Sequence, residues 1–309
     1  MVRSVQLFKQ RMAGSSPSLS AIALGPVRLA VADLPQVAGF YERAIGLRRL
    51  GGARADDALA LGVPGGPPLV ELVPEAGAAP RAARSSGLFH LALLVPDRAA
   101  LARALLRVGT GGGALTGASD HLVSEALYLD DPEGNGIELY RDRPRGQWRR
   151  DEQGQLAMAT LPLDLDDLLT ELGASERAPA TAGGTAMPPG TTLGHVHLQV
   201  SDLAAAEAFY AGALGFDVTV RGYPGALFVA ADGYHHHVGL NTWASAGGPP
   251  ADAAARGLRD FAIRLADAGA RDAAAERVAA AGFAVRADGE DRVATDPFGI
   301  AVRLTAPNR

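Results

Sequence analysis

An α+β chain made of four repeated units, each a strand, a helix and then further strands, is the fold class this sequence predicts. Three observations predict it. Residues 25–34 read GPVRLAVADL and residues 194–203 read GHVHLQVSDL, and seven residues past each closing Asp comes Phe-Tyr (Phe40-Tyr41 and Phe209-Tyr210). Residues 87–97, GLFHLALLVPD, and 257–267, GLRDFAIRLAD, form a second such pair, and each leads into an Ala/Leu-rich stretch. Two turns of the form Asp-Pro-x-Gly follow, at Asp131-Pro132 and Asp296-Pro297. The units start near residues 25, 88, 194 and 257.

Each element has a local reason. The opening strands alternate apolar and polar residues, the pattern of a half-buried strand. Asp33 and Asp202 stand where a side chain can cap a helix N-terminus, and Gly46 and Gly215 stand where a helix can stop. In Ser119–Tyr140 the run Asp131-Pro132-Glu133-Gly134-Asn135-Gly136 is turn chemistry, because Pro fixes φ and Gly accepts positive φ. Its flanks therefore read as a hairpin. On the outgoing strand, alternation puts Ile137 and Leu139 on one face and Glu138 and Tyr140 on the other. An acid between two apolar residues is either solvated or at work inside a cavity. In chain order the domains are a tail over 1–20, a first domain over 21–142, a linker over 143–190 and a second domain over 191–306. Within the linker, Leu161 to Leu172 reads as one short helix.

Composition narrows the class. The chain has 309 residues, 48% of them hydrophobic, a formal charge of −5 and no cysteine. That excludes disulfides and thiolate metal sites and gives no electrostatic footprint for nucleic acid. The N-terminus lacks an apolar stretch of signal-peptide length and no run approaches a bilayer span, so the expectation is a cytoplasmic protein without membrane contact. All seven histidines (His90, His121, His195, His197, His235, His236 and His237) fall in the strand-like stretches, none in the helices or linker. A lone strand histidine is usually a satisfied structural residue. Seven confined to four stretches suggest a metal site, since imidazoles with one carboxylate suit non-haem Fe(II).

Four βαβββ units in two pairs resemble the vicinal-oxygen-chelate superfamily of glyoxalases, fosfomycin-resistance proteins and extradiol dioxygenases. The stretches that carry the resemblance are GHVHLQVSDL, GLFHLALLVPD, SDHLVSEALYLDDPEGNGIELYRDRP and GYHHHVGLNTW; together they reach from about residue 22 to 305. The nearest pattern is that of the four-module bacterial catechol 2,3-dioxygenases. The resemblance implies four modules forming two curved-sheet barrels. It also implies metal ligands on the first and last strands of a module. Here the first-strand positions are Pro26, His90, His195 and Asp260, and the last-strand positions are Glu71, Glu138, Gly239 and Arg303. Modules three and four together give a poor metal site, and modules one and two give one His with two acids. Modules two and three give His90, His195 and Glu138 with Gly239 left open, and this is the expected metal site. If modules instead pair in chain order, Glu138 is a polar strand residue.

By the same resemblance the reaction is extradiol cleavage of a catechol-type diol with O2, on Fe(II) or alternatively Mn(II). An acid/base histidine belongs on the last strand of the third module. That strand is read as Tyr234–Leu240, where alternation puts His237 and His235 on the face of Gly239; His237 is the expected acid/base group, with His236 in its place if a bulge shifts the register. His121 and Tyr128 match the His and Tyr that precede the glutamate ligand. His197 shares the parity of His195 without an assigned role, and Arg28 and Arg303 fall at or beside the ligand positions of modules one and four, to form either an anion site or a salt bridge with Asp260. Two other readings stand beside this one: a metal-dependent isomerase or transferase using Glu71 as a fourth ligand, and a non-enzymatic protein that binds an aromatic or drug-like ligand. A homodimer is the default oligomeric expectation.

Overall fold

Each of the four units opens on a strand, and a side chain of Asp then caps the following helix. Asp33, Asp97, Asp202 and Asp267 accept hydrogen bonds from the backbone N–H of Gln36, Ala100, Ala205 and Ala270 respectively. The computed structural model describes residues 19–51, 57–152, 154–177 and 186–307; most of the tail expected over 1–20 and part of the linker expected over 143–190 lie outside them.

The first unit comprises β1 (Ala23–Val31), α1 (Leu34–Phe40), β2 (Arg48–Arg49), β3 (Leu59–Gly62) and β4 (Pro68–Pro74). The second comprises β5 (Gly87–Leu94), α2 (Arg98–Thr110), β6 (Leu115–Asp120), β7 (Ser124–Asp130) and β8 (Gly136–Asp142). A connection carrying β9 (Leu161–Pro162) and α3 (Leu165–Leu169) leads to the third: β10 (Thr192–Gln199), α4 (Leu203–Glu207), β11 (Asp217–Val220), β12 (Ala226–Ala230) and β13 (Val238–Asn241). The fourth holds β14 (Gly257–Arg264), α5 (Ala268–Ala280), β15 (Val285–Asp288), β16 (Asp291–Thr295) and β17 (Ala301–Thr305). In units one and three the helix widens into a π-turn, Tyr41–Ile45 and Ala208–Ala213. Gly46 and Gly215 follow these turns at φ 88° and 94°, a conformation that side chains disfavour.

Two curled sheets result. One runs β15-β16-β17-β14-β1-β4-β3-β2, the other β11-β12-β13-β10-β5-β8-β7-β6-β9. Their order cuts across the chain. The opening strands pair antiparallel, β1 with β14 and β5 with β10, so unit one continues into unit four and unit two into unit three. The chain-order halves 21–142 and 191–306 therefore do not each own a sheet; each contributes one unit to both. The halves still hold together internally, as the Tyr210 hydroxyl of unit three donates to Asp296 of unit four. The inner faces of both sheets and the helices share one apolar core, with Leu29, Tyr41, Leu91, Phe209 and Phe261 among its fully buried side chains.

The expected hairpin is present as β7 and β8, with Tyr128 opposite Glu138. The helix expected from Leu161 to Leu172 is shorter. Leu161 and Pro162 instead pair with β6, because a residue before proline is biased toward extended backbone. The helix starts only after Asp164, whose side chain accepts from Asp167 N–H. Among the described residues no helix is long and apolar enough to cross a membrane.

Candidate metal centre and pocket

Three neighbouring strands of the nine-stranded sheet bring three side chains to one point. Ala92 stands beside Glu138 in the parallel β5–β8 ladder and beside His195 in the antiparallel β5–β10 ladder. Its methyl group leaves the space between them open. His90, two residues earlier on β5, shares that face, and β10 breaks its register between Leu193 and His195. As a result His90 Nε2 lies 3.0 Å and His195 Nε2 2.9 Å from the same Glu138 Oε2. One ligand atom from each residue falls within 4.8 Å of the others, and all three residues are buried.

The charge state suits a cation. Burial alone would raise the Glu138 carboxyl, but His195 and His90 beside it hold it well below the usual carboxylate range. Burial takes His195 down to about 4 against the pull of Glu138. Near neutral pH the pair is thus a carboxylate and a neutral imidazole, the forms that donate to a metal. His90 Nε2 and His195 Nδ1 are buried without a hydrogen-bond partner. For His90 the 3.0 Å approach to Glu138 lacks hydrogen-bond geometry, so two electron-rich atoms converge on one point, and a divalent ion satisfies both. Two imidazoles and one carboxylate with open positions form the donor set of non-haem Fe(II) sites, and Mn(II) shares those ligands.

The centre borders a cavity of about 470 Å³. His121 and Tyr128 line it, as do His197 and His236. His121 Nδ1 lies 2.7 Å from the Ala159 carbonyl, a contact only an N–H can make, so Nε2 is the acceptor for the Tyr128 hydroxyl at 2.6 Å. Burial, reinforced by Glu138, raises the Tyr128 phenol well above its ordinary value. His197 sits over Gly239, where an added Cβ would meet its ring at 2.9 Å, so the slot left open by Gly239 is filled by an imidazole. Burial and the neighbouring His90 and His195 hold His197 well below the ordinary histidine range.

The histidine triplet differs from the expectation. The β13 ladder begins at Val238, so the triplet precedes it as a bend and strand alternation does not reach back. His236 faces the cavity, with its ring 4.1 Å from that of His195. His237 turns away: its Nδ1 accepts from Ala231 N–H and its ring packs near Tyr234. The cavity position therefore belongs to His236. His235 is fully buried behind it, with Nδ1 2.8 Å from His236 Nδ1 and Nε2 2.8 Å from Asp142 Oδ1. Sequence reasoning assigned nothing to His235 or Asp142. The available signal was parity on β8, where Glu138, Tyr140 and Asp142 alternate onto one face.

The equivalent positions of the other sheet hold no such centre. Arg28 lies 3.2 Å from Glu71 and 3.5 Å from Asp260, and Arg303 lies 3.2 Å from Asp260. Glu71 is thus engaged in the other sheet, and the grouping of Pro26, Glu71, His90 and Glu138 is not assembled.

Comparison with known proteins agrees with this architecture. The family model for the Glyoxalase/Bleomycin resistance protein/Dioxygenase superfamily matches residues 23–139 and 192–304. A catechol-2,3-dioxygenase of Bacillus subtilis (strain 168) is 42% identical over 265 residues, covering 85% of this chain and 89% of that protein. Among solved structures, glyoxalase I from Zea mays superposes with a TM-score of 0.57 at 18% identity, over 93% of this chain and 92% of that one. A Bacillus subtilis subsp. subtilis str. 168 structure does so at 0.66 and 15% identity, over 94% and 87%. At those identities the structures speak for the fold alone. Two matched segments spanning most of the chain, and one close relative aligned over nearly its whole length, make this chain a member of the glyoxalase/bleomycin resistance protein/dioxygenase superfamily.

Proposed function

We propose that this protein is an extradiol dioxygenase that cleaves a catechol-type ring with O2, using a divalent metal, Fe(II) or Mn(II), held by His90, His195 and Glu138. The observation that carries the reading is the convergence of two imidazole nitrogens and one carboxylate oxygen at the wall of an aromatic-lined cavity. The relative's name points to the same chemistry. When bound, the metal supplies Lewis acidity toward the diol oxygens and redox chemistry toward O2.

The chain's own residues handle protons and position. His236 faces the cavity as the acid/base group, neutral because burial and His195 hold it well below the ordinary histidine range. A substrate hydroxyl can donate to the Tyr128 oxygen, whose own proton is already directed to His121 Nε2 at 2.6 Å, so the pair orients the substrate. The cavity walls bias the substrate. Phe89 and Trp243 line the cavity at its exposed side, and Leu122 and Leu161 adjoin the lining residues His121 and Thr160; these four are the large exposed hydrophobics of the described chain. Among the described lining residues there is no Lys or Arg, while Asp130 and Glu138 are acidic. This supports an uncharged catechol with an apolar substituent over a carboxylated one.

The test is anaerobic purification, metal analysis, and addition of catechol, an alkylcatechol and a carboxylated catechol with O2 while the yellow ring-opened product is followed. The expected result is about one Fe or Mn per chain, turnover of the first two diols, and loss of metal and colour in Glu138→Ala. Nickel or zinc with thiol-dependent activity would instead favour an isomerase, and no stoichiometric metal a binding protein.

A further inference from the structure

We propose that Asp142 and His235 are positioning residues that fix the tautomer of His236, so that its Nδ1 carries the proton and its Nε2 presents a lone pair to the cavity. Asp142 Oδ1 lies 2.8 Å from His235 Nε2, and an ionised carboxylate can only accept, so Nε2 of His235 is the N–H. His235 Nδ1 is then the lone-pair nitrogen of a neutral ring. It lies 2.8 Å from His236 Nδ1, a distance that requires one proton between the two atoms, and His236 must supply it. With Nδ1 committed, His236 has Nε2 left for the cavity it lines.

The surroundings hold the chain in register. His235 is fully buried, with its ring 4.0 Å from that of Tyr234 and 5.4 Å from that of Trp148. Tyr234 donates to Asp142 Oδ1 at 3.2 Å, and the hydroxyls of Tyr140 and Tyr234 lie 2.7 Å apart. Asp142 ends β8, the strand that also carries Glu138, so one strand places the carboxylate of the metal centre and the carboxylate that orients the base. The competing arrangement is an imidazolium at His235 paired with Asp142. It would reverse the chain and leave His236 with its proton on Nε2, which the spectrum distinguishes.

The inference concerns the residues of the proposed site but does not need its activity for the test. The full chain, labelled with ¹⁵N-histidine and loaded with diamagnetic Zn(II), is examined by long-range ¹H–¹⁵N correlation, with His236→Gln assigning the signals. The expected spectrum shows His236 protonated at Nδ1 and bare at Nε2, and His235 the reverse. In Asp142→Ala the His236 signals should move toward the Nε2–H form, while Asp142→Asn, whose amide oxygen can still accept, should restore much of the wild-type pattern. His236 protonated at Nε2 in the wild type, or unchanged in Asp142→Ala, would overturn the proposal. Circular dichroism separates these outcomes from misfolding. If catechol is a substrate, Asp142→Ala should lower kcat at least about ten-fold with KM within about two-fold, as loss of the correct base tautomer does. An absence of all catechol turnover would count against the proposed function and leave the spectroscopic result to decide this one.

Discussion

His236 and His237 are neighbours in sequence with opposite surroundings, and the difference is one of register. His236 faces the cavity, whereas the imidazole of His237 folds back onto Ala231 N–H. His236→Gln should therefore lower kcat at least about 10²-fold, the usual contribution of a general acid–base group. His237→Gln should leave kcat within about two-fold and cost about 1 kcal/mol of stability, one net hydrogen bond. Steady-state assays beside urea titrations check both. At this scale the sequence was informative where strands are regular. His90, His195 and Glu138 could be brought together on paper because the resemblance fixes the ligand positions on first and last strands, and only units two and three fill them with two histidines and one acid. The triplet could not be oriented, since it precedes the first ladder pair of β13 and the turn at Asp232-Gly233, with φ of 54° and 65°, sets its direction. The chain through His235 to Asp142 joins strands distant in sequence, and only the folded sheet reveals it.

The Asp-Pro turns are elements with their own titration behaviour. Asp296 Oδ1 accepts from Phe298 N–H and Ile300 N–H, and Oδ2 accepts from the Tyr210 hydroxyl. Burial outweighs these bonds and pushes its carboxyl up to about 6. A folded-state value above the unfolded one means the folded chain binds more protons between roughly pH 4 and 6. Stability therefore falls as pH rises through that window. Asp296→Asn keeps the backbone-accepting oxygen without the charge. The variant should gain about 2–3 kcal/mol over wild type between pH 4 and 7, on the scale of 1.36 kcal/mol per pKa unit. Urea unfolding at both pH values measures it. The turns themselves were legible because Pro, Gly and Asp each impose a known backbone preference. The helix expected over Leu161–Leu172 was not, because Pro162 and the pairing of β9 with β6 compete with helical periodicity.

At the scale of the molecule, the two sheets have divided the work. One carries the imidazole–carboxylate centre; in the other, Arg28, Glu71, Asp260 and Arg303 form ion pairs at the matching positions. Arg303→Met leaves the buried Asp260 carboxylate with Arg28 as its remaining partner and should cost about 2 kcal/mol. It should leave metal content unchanged, which differential scanning fluorimetry with metal analysis of the same sample would check. The four-unit repeat was visible in the sequence, and the donor residues favoured units two and three as partners, whereas the strands by themselves, being similar repeats, give no preference. The observed order nests one sheet within the other along the chain. The nine-stranded sheet is completed by β13, while the eight-stranded sheet joins the first unit to the last. During synthesis the inner sheet can close as soon as Asn241 has emerged. In the outer sheet β1 to β4 can pair among themselves, but the other edge of β1 stays open until β14 arrives, which makes that closure the high-contact-order, slow step of folding. The exposed edge of β1 in that interval is the place where a chaperone, or aggregation, would act first.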